Sequence, residues 1–394
     1  MALPANVKGT DVMNAINSLK RFFDNTYEIG EKSITFHAKI GAYYTESMRI
    51  KNLHEVNEVL KRVAFCKYQV SIQNNSNIYI YTKNAYEEYQ QKQLRIKYLP
   101  HILEHGEANL VFQPIINLYT GETVLYEVLL RVSNDMYQST ADFIDDCVSE
   151  GYDVALDDMV LSKLIDLVNR GLNTNLSVNL LGNTPITDRI KQLSAILLQN
   201  GKMLYLEITE HMINKIEATK FKAEQIKRCG AGIVADDYGI GYSNNSMVAS
   251  IAFDIIKIPR ELISGITTDT RLEYMVRSIA AYCKALGIIC VAEGIETEEE
   301  FLKARELNVT CGQGYYLQRP MPAVPPVDPV YSFLKRKDPG HADENVIDFD
   351  DEKDRNTDRA VKQAARRRQE SHMSDDENND KMLNRLWSKI RNAF

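Results

Sequence analysis

Two adjacent carboxylates, Asp236 and Asp237, follow the apolar run Ile233-Val234-Ala235, and Gly239 and Gly241 come just after them. The run predicts a short buried strand. The glycines let the chain turn sharply beyond it. Two charges at the end of a buried strand need neutralising by something close by. A divalent cation does this well with hard oxygen ligands. On this stretch alone, a metal site and a polar turn stand equally open.

The elements that must position these groups run from about Leu110 to Pro322. Strands are predicted at Val111–Leu118, Val124–Val132, Leu176–Leu180, Leu204–Thr209, Gly232–Asp237, Ile255–Ile258, Ile288–Gly294 and Gly312–Leu317, with helical stretches between them. This alternation predicts an α/β fold, a (β/α)8 TIM-like barrel whose site lies at the C-terminal ends of the strands. Tyr119-Thr120-Gly121-Glu122 is too short for a crossover helix, so the first two strands should be antiparallel. Polar residues stand at or beside successive strand ends: Glu127 and Arg131, Asn179, Glu207 and Glu210, Asp236 and Asp237, Lys257, Glu293, and Gln313. Singly, each could be a satisfied structural group. Together on one rim, the carboxylates would repel severely without cations. The set is rich in oxygen and lacks thiolate or convergent histidine, which suits Mg2+ or Mn2+ over zinc.

In order along the chain stand Gln113-Pro114-Ile115, Glu127-Val128-Leu129-Leu130-Arg131, Asn179, Glu207-Ile208-Thr209-Glu210, Asp236-Asp237, Lys257, Ala292-Glu293-Gly294-Ile295-Glu296 and Gln313-Gly314-Tyr315. This series resembles the EAL domain, the family of cyclic di-GMP phosphodiesterases. The resemblance implies two divalent cations. Glu127, Asn179, Glu207 and Asp236 would hold one, and Asp236, Asp237 and Glu293 the other. Lys257, Glu293 and Glu127 would be catalytic, with Lys257 contacting the attacking water. Gln113, Leu129, Arg131 and Gln313 would serve substrate binding, and Glu210 and Ser243 would hold the loop after the fifth strand. The implied reaction opens cyclic di-GMP to linear pGpG, with two cations lowering the pKa of a bridging water. The sequence departs from the family pattern at Val128 for alanine, Ile240 for threonine and Pro259 for aspartate. No implied metal ligand is lost, which favours an enzyme over the alternatives. Those are a receptor or scaffold that binds cyclic di-GMP without turnover, and a barrel serving as a platform for protein or RNA contacts. The resemblance also implies a homodimer through the barrel.

At 394 residues the chain has room for a large domain with additions, here expected as 1–98, 99–330 and 331–394. A net charge of −7 argues against bulk nucleic-acid binding. Six scattered cysteines, Cys66, Cys147, Cys229, Cys283, Cys290 and Cys311, form no CxxC pair and suggest free thiols in a reducing compartment. No stretch is apolar enough to span a bilayer, and Met1-Ala2-Leu3-Pro4 opens no signal peptide, so a cytoplasmic location is expected.

The first region predicts a small α+β unit. Helices are expected over Asp11–Phe23 and Leu53–Tyr68, and strands over Ser33–Tyr43 and Asn77–Tyr81. Ala38-Lys39-Ile40-Gly41-Ala42, Ala64-Phe65-Cys66-Lys67-Tyr68 and Ile80-Tyr81 resemble the later half of a GGDEF domain. The signature of that family is absent, which implies no cyclase activity. His101 and His105 sit one helical turn apart, but with no third ligand nearby they read as a solvated linker helix. The last region alternates charge blocks and is expected to be disordered. Its end, Lys381–Phe394, places Met382/Leu383, Leu386/Trp387, Ile390 and Phe394 on one helical face with Arg385, Lys389 and Arg391 away from it. Such a basic amphipathic helix suits a protein groove or a membrane surface, and equally a fold back onto the barrel.

Overall fold

The computed structural model describes residues 9–30, 32–44, 52–72, 76–181, 184–209, 216–239 and 250–331. Eight strands close into a barrel: β5 (Ala108–Asn117), β6 (Thr123–Val132), β7 (Leu176–Asn179), β8 (Leu204–Thr209), β9 (Gly232–Asp236), β10 (Ile255–Ile258), β11 (Ile289–Ala292) and β12 (Cys311–Gly312). β5 runs antiparallel to both its neighbours, β6 and β12, and every other pair in the barrel is parallel. The reversal follows from the tight β5–β6 turn. Asn117 Oδ1 accepts from the Tyr119 and Thr120 amides, and Gly121 takes φ 73° where a Cβ would meet the Tyr331 carbonyl. The five residues between Asn117 and Thr123 cannot carry a crossover helix, so the chain turns straight back.

Around the barrel lie α4 (Thr140–Ser149), α5 (Asp153–Asn169), α6 (Asp188–Gln199), α7 (Ile216–Arg228), α8 (Arg260–Ile263), α9 (Thr270–Leu286) and α10 (Glu298–Glu306). Four of these helices are capped by side chains: Ser139, Thr187, Asp269 and Thr297 each accept an amide of the first turn, and Thr297 with Glu300 completes a capping box. The main core fills the space between the strands' outward faces and these helices. A separate core fills the barrel's interior: Ile115, Leu125, Tyr205, Val234, Ile255, Val291 and Cys311.

Before the barrel come α1 (Gly9–Phe23), the antiparallel hairpin β1 (Thr26–Ile29) and β2 (Lys32–Thr35), then β3 (Ile40–Ala42), α2 (Leu53–Ile72), β4 (Ile78–Ile80) and α3 (Lys83–His105). β3 and β4 pair in parallel, with α2 as their crossover. Phe65, Cys66 and Tyr86 are buried there, ringed by Tyr43, Tyr79, Tyr81 and Tyr89. Gly41 is required at the contact, since a Cβ would lie 2.5 Å from the Cys66 carbonyl carbon. α3 runs through residue 98 into the barrel unit. Its Lys92 and Arg95 each lie 3.2 Å from the buried Asp146 of α4.

Three sequence expectations need correction. The single strand over Ser33–Tyr43 is two strands with different partners, because β2 is exposed throughout and only β3 meets α2. The last barrel strand is not Gly312–Leu317 but Cys311–Gly312: Gly314 packs so closely on Ile295 that the chain turns away. The fifth strand ends at Asp236, since Asp237 takes a left-handed φ of 55° that no strand continues. His101 and His105 lie on α3 with rings stacked at 4.0 Å, and His105 Nδ1 faces the His101 carbonyl at 3.0 Å. All six cysteines are free thiols. Among the described residues, no helix is long and apolar enough to cross a membrane.

Candidate active site

Side chains alternate across a strand, so residues two apart share a face. Applied to the interior core, that rule gives the site. Two residues beyond Leu125, Tyr205, Val234, Ile255, Val291 and Cys311 stand Glu127, Glu207, Asp236, Lys257, Glu293 and Gln313. Asn179 stands two beyond the buried Ser177 on β7. On β5, which runs the other way, the corresponding residue precedes its apolar partner: Gln113 stands two before Ile115. Six of these eight lie within the strands, and Gln313 and Glu293 each follow their strand's end by one residue. Every segment of the barrel thus sends one polar side chain into a layer capping the apolar one.

Lys257 is at the centre of this layer and only 1 % exposed. Its Nζ lies 2.7 Å from Glu293, 2.8 Å from Glu207, 3.0 Å from Asp236 and 3.4 Å from Glu127. Burial works to lower its pKa, but the four carboxylates outweigh that and hold it well above the ordinary lysine value. Burial pushes the Glu207 carboxyl up to about 8, against the pull of Lys257 and reinforced by Glu127 and Asp236. Glu293 is pushed up to about 8 for the same reasons. One ammonium cannot satisfy four carboxylates in this dry environment.

Neutral amides fix the ring's far side. Asn179 Nδ2 donates to Glu127 Oε1 at 3.2 Å, and Gln313 Nε2 donates to Glu127 Oε2 at 2.7 Å and to Gln113 Oε1 at 3.0 Å. Gln113 in turn donates to the Gln318 carbonyl at 3.1 Å. Leu129 and Arg131 stand two and four residues above Glu127 on the same face; Leu129 is half-buried and Arg131 is exposed. Asp237 projects from the strained turn beyond β9, and oxygen atoms of Asp236, Asp237 and Glu293 lie within 4.8 Å of one another. Glu210, Ser243 and Ile240 lie outside the described residues. Pro259 caps α8 from an extended conformation directly after β10.

The residues present fit divalent cations. Glu207 Oε1 and Gln313 Oε1 are buried acceptors with no hydrogen-bond partner among the described residues. Orphaned acceptors in a layer with surplus carboxylates call for positive charge. All the available donors are hard oxygens, the set that magnesium-like ions prefer to nitrogen or sulfur. Beyond the motif residues, Asp157 on α5 and Lys222 on α7 also reach this rim, both through the peptide of Leu181. The only trace of Asp157 in the sequence is one of two adjacent carboxylates, Asp157 and Asp158, ahead of the apolar Met159-Val160-Leu161.

Residues 96–320 match the family model described as "EAL domain". The chain is 27% identical over 256 residues to the cyclic di-GMP phosphodiesterase RocR of Pseudomonas aeruginosa, covering 61% of this chain and 65% of that protein. It is 31% identical over 230 residues to the probable cyclic di-GMP phosphodiesterase PdeA of Escherichia coli, covering 56% of this chain and 31% of that protein. Among solved structures it is similar to the PaMucR phosphodiesterase in complex with c-di-GMP: TM-score 0.51, 26% identity, 59% of this chain and 98% of that one. The chain thus spans less than two thirds of the length of these curated relatives.

Proposed function

The chain belongs to the EAL domain family, and from that premise we propose that it is a metal-dependent phosphodiesterase that hydrolyses cyclic di-GMP to linear pGpG. One observation carries the reading: a single buried layer in which Lys257 is shared by four carboxylates from four segments of the barrel, with buried acceptors left over. The names of RocR and PdeA and the c-di-GMP complex of PaMucR point the same way.

In this reading Glu127, Asn179, Glu207 and Asp236 would hold one cation, and Asp236, Asp237 and Glu293 would hold a second, Mg2+ or Mn2+. When bound, the cations supply a water of lowered pKa and shield charge on the phosphorus oxygens. Lys257 balances the carboxylates' charge and would orient the attacking water. Gln313 and Asn179 hold Glu127 in place, while Gln113, Leu129 and Arg131 contact the dinucleotide. Glu210 and Ser243 would steady the loop beyond β9. Water adds to one phosphorus, one P–O bond to ribose breaks, and the released alkoxide takes a proton. The second phosphodiester stays intact, which opens the ring.

Residues 1–98 form a GGDEF-like packing or regulatory unit without cyclase chemistry; the parallel β3–β4 pair joined by α2 supports this. The barrel, 99–330, forms a homodimer in the cytoplasm. The end of the 331–394 tail docks its amphipathic face on a protein or membrane surface; it lies outside the described residues.

The test is to incubate cyclic di-GMP with the purified protein and Mg2+ or Mn2+, separate the products by chromatography, and repeat with EDTA. Metal-dependent pGpG is the expected result. Tight binding without product would replace the enzyme with a cyclic di-GMP receptor.

A further inference from the structure

The peptide of Leu181 is held from both sides. Asp157 Oδ2 accepts its N–H at 3.1 Å, and Lys222 Nζ donates to its C=O at 3.2 Å. These two side chains come from different helices, α5 and α7, that flank the loop leaving β7. Leu181 is two residues beyond Asn179, the side chain that donates to Glu127. The intervening Leu180 amide donates to the Glu207 carbonyl at 3.3 Å. From Asn179 to Leu181, therefore, the backbone is pinned at its far end by a charged pair.

A clamp made of charges is an expensive way to hold a loop. Asp157 is 6 % exposed and surrounded by the apolar face of α5. Burial pushes its carboxyl up to about 6, against the Thr184 hydroxyl, the Leu181 N–H and the Lys222 charge. Burial likewise lowers the Lys222 pKa, with Asp157 opposing. Apolar residues of similar size would fill such a place at less expense in stability. What they cannot do is fix both polar groups of one peptide at once.

We propose that Asp157 and Lys222 are positioning residues: by clamping the Leu181 peptide they set the direction of Asn179, and through it the orientation of Glu127 at the site. The inference rests on the phosphodiesterase reading given above. Neither residue touches the substrate or a ligand oxygen. Their effect passes through three residues of backbone to an amide whose aim must hold to fractions of an ångström.

The test compares Asp157→Ala, Asp157→Asn and Lys222→Met with the wild-type chain in three measurements. These are steady-state turnover of cyclic di-GMP with Mn2+, Mn2+ affinity followed by water-proton relaxation, and hydrogen exchange of the peptide covering residues 176–184. Asp157→Ala and Lys222→Met should each lower kcat by about 10- to 100-fold at unchanged KM, the usual scale for partners that orient ligands. Mn2+ affinity should weaken and exchange at Leu181 should quicken in the same two variants. Asp157→Asn keeps an oxygen that can accept the Leu181 N–H, so it should stay within about threefold of wild type, well inside that range. Wild-type Mn2+ affinity and kcat in Asp157→Ala would overturn the proposal, and so would equal damage from Ala and Asn. If Asp157→Ala does not fold, Lys222→Met against Asp157→Asn decides on the same criteria. If the wild-type protein forms no pGpG, the phosphodiesterase reading falls, and Mn2+ affinity and exchange alone decide the clamp.

Discussion

Replacing Lys257 by methionine keeps most of the side chain's stem and removes its ammonium. That ammonium stands 2.7–3.4 Å from oxygens of Glu293, Glu207, Asp236 and Glu127. At an effective dielectric of 20, a unit pair about 3 Å apart is worth about 5 kcal/mol, so the four together sum to about 20 kcal/mol. Most of that sum is not lost in the variant. The desolvation of the lysine itself disappears, and Glu207 and Glu293, already pushed up to about 8 by burial, take up protons. What remains is the usual penalty for breaking a buried pair from one side, about 3–5 kcal/mol. For a domain of this size each kcal/mol moves Tm by roughly 2–4 °C, so the variant should melt about 6–20 °C below wild type in EDTA. Saturating Mn2+ at about 1,000 times its Kd adds about 4 kcal/mol to the wild type. It should add more to the variant, whose carboxylates have no lysine to share, so the gap should narrow. Calorimetry with EDTA and with Mn2+ reads both effects. A Tm unchanged in EDTA, or a gap that stays constant as Mn2+ is raised, would refute the charge-balance account of the site.

Asp157 predicts a pH dependence. Its folded pKa, about 6, lies above the ordinary 3.8, so folding favours its protonated form; that contribution is complete below pH 3.8 and is lost as pH rises through 6. The shift corresponds to about 3 kcal/mol, so urea stability relative to Asp157→Asn should fall by about that much between pH 4 and 7, and parallel curves would contradict it. A Cβ at Gly314 would lie 2.1 Å from the Ile295 carbonyl oxygen, backbone that cannot yield cheaply. Gly314→Ala should destabilise by about 2 kcal/mol or more in urea, and a variant as stable as wild type would show that the turn after β12 is softer than its geometry suggests. Asp146 holds Lys92 and Arg95 of α3 against α4. Asp146→Asn should lower stability by about 1–3 kcal/mol and open α3 to limited proteolysis, and an unchanged cleavage pattern would count against this anchor.

Much of this was legible along the chain, for reasons that are local. A strand's side chains alternate, so an apolar run ending in a polar residue marks both a strand and the end that faces the site. Ile233–Asp236, Ile255–Lys257 and Val291–Glu293 each show this pattern within five residues. The short Tyr119–Glu122 connection was enough to reverse the first strand, because chain length alone forbids a crossover. Strand ends were less legible where tertiary contacts decide them. The approach of Gly314 to Ile295 stops β12 early, and the left-handed turn at Asp237 stops β9.

What only the folded chain decides is which of these polar residues share partners. Gln113 and Gln313 are 200 positions apart, yet their amides meet because β5 runs backwards beside β12 and presents its residue in the same layer. Four carboxylates spread over 167 positions, from Glu127 to Glu293, converge on one ammonium because barrel closure brings their strand ends together. Asp157 and Lys222 belong to no motif at all. Their place is set by two helices packing against the loop from Asn179 to Leu181, and a single buried carboxylate on a helix has no period by which to be recognised. Sequence alone determines the order and facing of the groups, because backbone geometry is local. Tertiary structure determines their charge balance and aim, because both depend on distances that close only when the barrel does.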